Sequence, residues 1–336
     1  MQYNLFIVDP IRSQIETKGN FVELIKDNYL RGSGSGATWH VDIDPPKRKV
    51  KSYFEETLIT SEYMYANKTG KLLLMLSGGL DSEYVFRIFR HLKFDFTPVI
   101  IRLIGKHYPT DYNAKDTVQG FRLCKTYDIE PIVIDFDFEE FFNSGEIFEI
   151  MHTWKCKGVG VATLCKVAES LDGFTVMGND PPYLRYNKLT KEWQLEEEEL
   201  IHTLLRFYQG KNLQGCPFLL SYTPEMMLSF LLDPRIVDLA NGKFPGKEGT
   251  NSSKSYVFNN GSEFNMEHYD VNLAKKFAQG EMADVIIPRY KQNGFETIIN
   301  IPYFRKRIYA DGACTRYTGC YKENYNDIIQ RLSVHQ

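Results

Sequence analysis

The sequence predicts an α/β protein built on a parallel, doubly wound sheet, with an N-terminal extension over residues 1–68 and a mainly helical region over residues 183–336. Three observations lead there. Between residues 69 and 182, apolar runs of strand length alternate with helix-period segments. The first of those runs passes straight into a glycine turn, and the alternation stops after the Pro181-Pro182 pair.

Taken in order, Tyr3–Val8 reads as a short strand, Phe21–Tyr29 as a helix, and the Gly/Ser run that follows Arg31 as a flexible loop. Trp39–Asp44 alternates with period two, which predicts a strand with His40 on its surface rather than on a metal. Leu72–Leu76 is a continuous apolar strand, and Glu83–Leu92 a helix with apolar residues at 85, 86, 88, 89 and 92. Thr97–Leu103 and Pro131–Asp135 follow as strands separated by a helix at Ala114–Tyr127, and Phe138–Met151 reads as one amphipathic helix. A helix at Val159–Leu171 and a strand at Phe174–Met177 complete the unit. Ligands in such sheets gather outside the carboxyl ends of the strands, so the loops after residues 76, 103, 135 and 177 should share one rim.

Beyond residue 182, Tyr183–Leu195 suggests a polar hairpin and Glu196–Tyr208 a helix. Thr223-Pro224-Glu225 is a helix start, with a capping Thr and Pro at the first helical position, leading into one helix through Leu239. Gly242–Ser255 is polar and rich in Gly, Lys and Ser, a loop expected to order over substrate.

Bulk properties narrow the function. With 336 residues, 43% hydrophobic and 25% charged, the chain is large enough for a substantial core and far from the composition of a disordered one. A net charge of -3 gives no footprint for duplex nucleic acid, and a small-molecule substrate is favoured. No apolar stretch of about 18 residues occurs, so no membrane span is expected and a cytoplasmic location is. The six cysteines (124, 156, 165, 216, 314 and 320) are dispersed and form no Cys-x-x-Cys pair, which reads as reduced thiols rather than a zinc or iron–sulfur site.

The most informative stretch is Leu72–Ser82, Leu-Leu-Leu-Met-Leu-Ser-Gly-Gly-Leu-Asp-Ser. Gly78 and Gly79 let the backbone approach an anion, Ser77 and Ser82 add hydroxyl donors, and the helix that follows turns its N-terminal amides toward negative charge. No lysine follows the glycines, so this is not the common GxxxxGK[ST] loop. A bland reading also exists, a tight strand-to-helix turn capped by Asp81 or Ser77.

Strand, Ser-Gly-Gly-Leu-Asp-Ser and helix together resemble the PP-loop of the N-type ATP pyrophosphatases, closest to the synthetase domain of asparagine synthetases. The resemblance is sharp over residues 69–182 and implies an adenine nucleotide α-hydrolase-like (HUP) fold, ATP and Mg²⁺ as cofactors, and cleavage between the α and β phosphates. It places Ser77, Gly78, Gly79, Leu80, Asp81 and Ser82 around the pyrophosphate, with Ser77 and Asp81 as catalytic candidates on a surface turn. Asp81 is the first candidate Mg²⁺ ligand, or else a helix cap. Ile101, Arg102 and Leu103 correspond to the adenine contact of related enzymes, although Arg102 can equally face solvent. Gly178-Asn179-Asp180 looks like a shortened Gly-x-Gly-x-Asp-Glu loop, which makes Asp180 a second metal candidate; with two prolines following, it can also be only a rigid turn. Within Tyr303–Arg307, Arg305 and Lys306 are candidates to close over the triphosphate, with Lys254 a weaker one.

The resemblance therefore implies an adenylating ligase that activates a carboxylate or amide-type oxygen with ATP for attack by ammonia or an amine. Residue 2 is Gln rather than a nucleophilic Cys, so the nitrogen donor is expected to be free, an amine, or ammonia delivered by a partner. A sulfur-handling enzyme and a non-catalytic nucleotide-binding protein are the alternatives. The sequences around Cys314 and Cys320 do not match the adenylylsulfate reductase signature, which places sulfur chemistry second.

Overall fold

The computed structural model describes residues 20–26, 38–43, 46–106, 111–154, 159–179, 181–197, 199–243, 250–266 and 321–333. At the N-terminal side β1 (Asn20–Lys26) and β2 (Thr38–Ile43) pair antiparallel, so the helix expected at Phe21–Tyr29 is a strand instead. Its sequence, Asn-Phe-Val-Glu-Leu-Ile-Lys, carries apolar residues of high strand propensity, and pairing with β2 decides what periodicity left ambiguous. Helix α1 (Tyr53–Asn67), to which the sequence reading assigned no element, opens on a capping box between Ser52 and Glu55. Its Glu56 is fully buried yet satisfied, by a two-pronged Arg48 guanidinium and by the Lys51 amide at 2.8 Å.

Among the described residues the centre is a five-stranded, all-parallel sheet. It comprises β3 (Leu72–Met75), β4 (Thr97–Ile104), β5 (Ile132–Asp137), β6 (Phe174–Met177) and β9 (Gly215–Cys216), in the spatial order β5-β4-β3-β6-β9. The α/β class read from the sequence is therefore what the chain forms. All four residues of β3 are buried, which is why this strand reads as a continuous apolar run rather than an alternating one. Leu72, Leu74 and Leu76 face one layer, with α1, α2 (Leu80–His91), α3 (Ala114–Thr126), α8 (Pro224–Leu231), α9 (Pro234–Ala240) and α10 (Thr250–Asn259). Leu73 and Met75 face the other, with α4 (Phe138–Asn143), α5 (Glu146–Trp154), α6 (Val159–Ser170) and α7 (Glu199–Lys211).

The chain moves from β3 outward to β4 and β5, then returns across the sheet to β6 and β9, so the connecting helices change face at β3 and β6. That reversal opens a crevice between the carboxyl ends of these two strands, the position where open α/β sheets bind ligands. Two helices expected to be single are broken. Gly145, at φ +84, ends α4 and separates it from α5, and Asp233-Pro234 stops α8 and starts α9, with Asp233 accepting from the Arg235 amide. The fifth strand, β9, comes from beyond residue 182.

The expected hairpin forms from β7 (Tyr183–Asn187) and β8 (Glu192–Glu197), and β10 (Tyr321–Asn324) adds to β8. Helix α11 (Tyr325–Leu332) then joins the first layer, where the Tyr325 hydroxyl donates to the Leu231 carbonyl at 2.7 Å.

Candidate functional site

The turn after β3 is built for close approach. Gly78 has φ +85, and a Cβ there would stand 2.4 Å from the Asp116 carbonyl oxygen and 2.8 Å from the Gly120 nitrogen, both on α3. Only glycine meets both demands. Gly79 precedes the first residue of α2 and accepts from the Glu83 amide at 3.0 Å, so α2 begins at once. The exposed Ser77 hydroxyl lies 3.0 Å from the Ser82 hydroxyl and accepts from the Gly79 amide at 3.3 Å, while Ser82 donates to the Gly79 carbonyl at 3.1 Å. The loop is thus held by its own serines, with the open amides of the first turn of α2 beside it.

Asp81 is not on a surface turn. It is 9% exposed, and its Oδ2 accepts from the Lys254 ammonium at 2.6 Å, with the lysine itself 4% exposed. Two helices set this pair. Tyr84, one turn after Asp81 on α2, stacks on Phe258, one turn after Lys254 on α10, with ring centroids 4.2 Å apart and planes within 6°. The ion pair and the aromatic stack are neighbouring rungs between the same two helices, so burial of the rings positions the charges. Burial, then the charges of Tyr84 and Asp81, push the Tyr53 phenol well above its usual range.

Lys254 was a weaker expectation, placed in a loop at Gly242–Ser255; residues 250–255 belong instead to α10. A signal was present in the sequence. Lys254 is in phase with Val257 and Phe258, the buried face of that helix, and a lysine on such a stripe needs a partner.

On the far side of the crevice, Gly178 follows β6 and packs directly on the start of α2: a Cβ there would meet the Asp81 carbonyl oxygen at 2.7 Å. Asn179 donates through Nδ2 to the Pro217 carbonyl and thereby ties this loop to the one after β9. Leu80, Asp81, Ser82, Gly178 and Asn179 are therefore brought together at the carboxyl ends of β3 and β6, beside the turn of Ser77, Gly78 and Gly79. Asp180, Arg305 and Lys306 lie outside the described residues, as do Cys156, Cys314 and Cys320.

At the end of β4, Arg102 forms a two-pronged pair with Asp135 on β5, both contacts 2.6 Å, with Asp111 at 3.7 Å. Its guanidinium is committed to the sheet surface rather than to the crevice. The main chain of Ile101 and Leu103 is engaged by Asn113, and Tyr112 donates through its hydroxyl to the buried Glu139 at 2.6 Å. Neither Asn113 nor Glu139 stood out in the sequence, since each is one of several polar residues at a helix start.

For a hard ion brought in with phosphates the turn offers one carboxylate, Asp81, whose Oδ2 is engaged by the Lys254 ammonium at 2.6 Å. Among the described residues no group of three or more His, Cys, Asp or Glu is placed to hold a metal by itself. An ion here would share phosphate oxygens and water with Asp81.

No family model matches the chain, and no curated protein matches it. Among the described residues no helix is long and apolar enough to cross a membrane.

Proposed function

We propose that this chain is an ATP pyrophosphatase-type ligase of adenine nucleotide α-hydrolase-like fold, acting in the cytoplasm. Mg–ATP binds with its phosphates along Ser77–Ser82 in the β3/β6 crevice. An oxygen of a small acceptor, a carboxylate or amide-type group, attacks the α-phosphorus, and the bond to the β-phosphate oxygen breaks, releasing pyrophosphate. Ammonia, free or from a partner, or an amine then attacks the activated carbon; AMP leaves and the nitrogen loses a proton.

The observation that carries this reading is the buried Lys254–Asp81 pair at the phosphate turn. A turn that merely joins a strand to a helix has no need of a buried ammonium, which costs desolvation wherever it is placed. A cation held 2.6 Å from the carboxylate at the base of the loop is useful where a pyrophosphate anion forms and departs. When bound, magnesium would supply further charge neutralisation on the phosphates, and Asp81 would share it by giving up part of its contact with Lys254. Ser77 and Ser82 stand ready at the turn, and each donates to a phosphate oxygen by turning its one O–H from its partner within the loop.

Sulfur chemistry is the weaker alternative. Cys124, Cys165 and Cys216 are buried, and desolvation first, with nearby acidic groups for Cys124 and Cys165, raises their thiols, that of Cys124 to about 11. Such thiols are poor nucleophiles near neutral pH. The test is a screen of acceptors with Mg–ATP, scored by pyrophosphate release and by mass spectrometry of the products. AMP and pyrophosphate support the proposal; ADP and phosphate as sole products overturn it, and nucleotide binding without turnover across the screen favours the binding-protein alternative.

A further inference from the structure

Beyond Val99 the β3-facing edge of β4 is covered by a side chain. β3 pairs with β4 only over Leu73–Met75 against Thr97–Val99, the Leu76 amide adds a last bond to the Val99 carbonyl at 2.8 Å, and β4 runs on to Ile104. Main-chain groups of alternate residues point the same way along a strand, so the carbonyls and amides of residues 101 and 103 lie on the β3 side of β4, as those of Val99 do. Asn113 fills the vacant place. Its Oδ1 accepts from the Leu103 amide at 2.8 Å and its Nδ2 donates to the Ile101 carbonyl at 2.8 Å, while the Tyr112 amide donates to the Leu103 carbonyl at 2.7 Å.

The place is within a nucleotide's reach of the phosphate turn. Gly78 packs on α3 at Asp116 and Gly120, and Asn113 precedes Asp116 by three residues, roughly 4.5 Å along the helix direction. A primary carboxamide offers one acceptor beside one donor. The N1 and N6 edge of adenine offers the same pair, whereas hypoxanthine reverses it. Although Asn113 stands at the N-cap of α3, its side chain caps no helix amide, so it is not spent on the helix.

We propose that Asn113 is an internal occupant of a base-reading edge: nucleotide binding displaces its carboxamide from Ile101 and Leu103, and this exchange holds down the affinity, while the uncovered main-chain pair carries the preference for adenine. The proposal rests on the ATP reading above and adds to it a residue that tunes affinity. Because the displaced contacts are two neutral hydrogen bonds that the base replaces, removing the competitor leaves the edge open and strengthens binding.

The experiment is calorimetric titration of the full chain, with Mg²⁺, using three probes: α,β-methylene-ATP, the corresponding inosine analogue, and tripolyphosphate, which has no base. Asn113→Ala is expected to bind the adenine analogue roughly five- to thirty-fold more tightly than wild type, with tripolyphosphate unchanged and the adenine-over-inosine ratio kept or enlarged. Unchanged or weaker adenine binding by the variant while tripolyphosphate still binds overturns the proposal, as does equal affinity of the wild type for the adenine and inosine analogues. Should Asn113→Ala not fold by circular dichroism, Asn113→Ser, too short to bridge both main-chain groups, gives the same comparison. If the wild type binds none of the three probes, the nucleotide reading itself falls and takes this inference with it.

Discussion

A methyl group on the Gly178 Cα would stand 2.7 Å from the Asp81 carbonyl oxygen and 3.0 Å from the Ser82 Cα. The loop leaving β6 and the first turn of α2 are thus in backbone contact, and the width of the β3/β6 crevice is fixed by the absence of a side chain.

Replacing Gly178 by Ala is therefore expected to separate the loop from α2 and to cost about 1–3 kcal/mol of stability, the usual range for overpacking. Affinity for Mg–ATP should fall with it. Gly145→Ala is the control: at φ +84 with nothing near its would-be Cβ, it costs about 1–2 kcal/mol of backbone strain but lies between α4 and α5, away from the crevice. Thermal melts and nucleotide titration of the two variants separate the effects. Equal loss of binding in both would show that crevice width is not what Gly178 controls.

Lys254 and Asp81 are expected to be unequal to their parts. Lys254→Met leaves a buried carboxylate without its ammonium, and Asp81→Asn leaves the converse, each at a cost of about 3–5 kcal/mol. The pair Lys254→Met with Asp81→Asn should recover most of that stability, because no uncompensated charge remains. Turnover should not return. Denaturant melts of the three proteins give the coupling, and a double variant that regains pyrophosphate release would remove Lys254 and Asp81 from the chemistry.

The described cysteines should resist alkylation in the native state. Cys124, Cys165 and Cys216 are buried, and their thiols titrate above the ordinary value of 9.0. A thiol raised on folding stabilises the native state below the unfolded pKa, and that contribution is lost as pH climbs through the folded one. For Cys124 the window runs from about 9 to about 11, so stability should fall with rising pH across it. Iodoacetamide labelling at pH 8, mapped by peptide mass, should find these three slow until denaturant is added.

Much of the architecture was legible because burial of a parallel sheet leaves a plain mark. Leu72–Met75 is apolar at every position and Phe174–Met177 at all but Thr175, and both strands form where those runs predict. Glycine at 78 marked a close approach, which the structure shows to be against α3; Gly178, read only as part of a loop or turn, makes another against α2. The relations between helices were not legible: Asp81 looked like a surface cap because its partner is 173 residues away, and Lys254 looked like a loop residue because polar Ser252, Ser253 and Ser255 hide the helical phase. Asn113 gave no signal for a different reason. Its role depends on β4 outrunning β3, a property of two strand lengths rather than of any one residue.

Ser77 offers the cleanest separation of site from scaffold. Its side chain is exposed, and its bonds to the Ser82 hydroxyl and the Gly79 amide all lie within the turn, so Ser77→Ala should change stability by no more than about 0.5 kcal/mol. Gly78→Ala is the opposite case. Its Cβ would collide with backbone of α3 at 2.4 and 2.8 Å while adopting φ +85, so it should destabilise the chain markedly and distort the turn. If the turn holds phosphates, Ser77→Ala keeps wild-type melting while tripolyphosphate affinity drops several-fold, because the hydroxyl that turns from Ser82 to the bound phosphate is gone. Unaltered tripolyphosphate affinity in a well-folded Ser77→Ala protein would instead make the serine a turn-former alone, and the anion site would have to rest on the amides of α2.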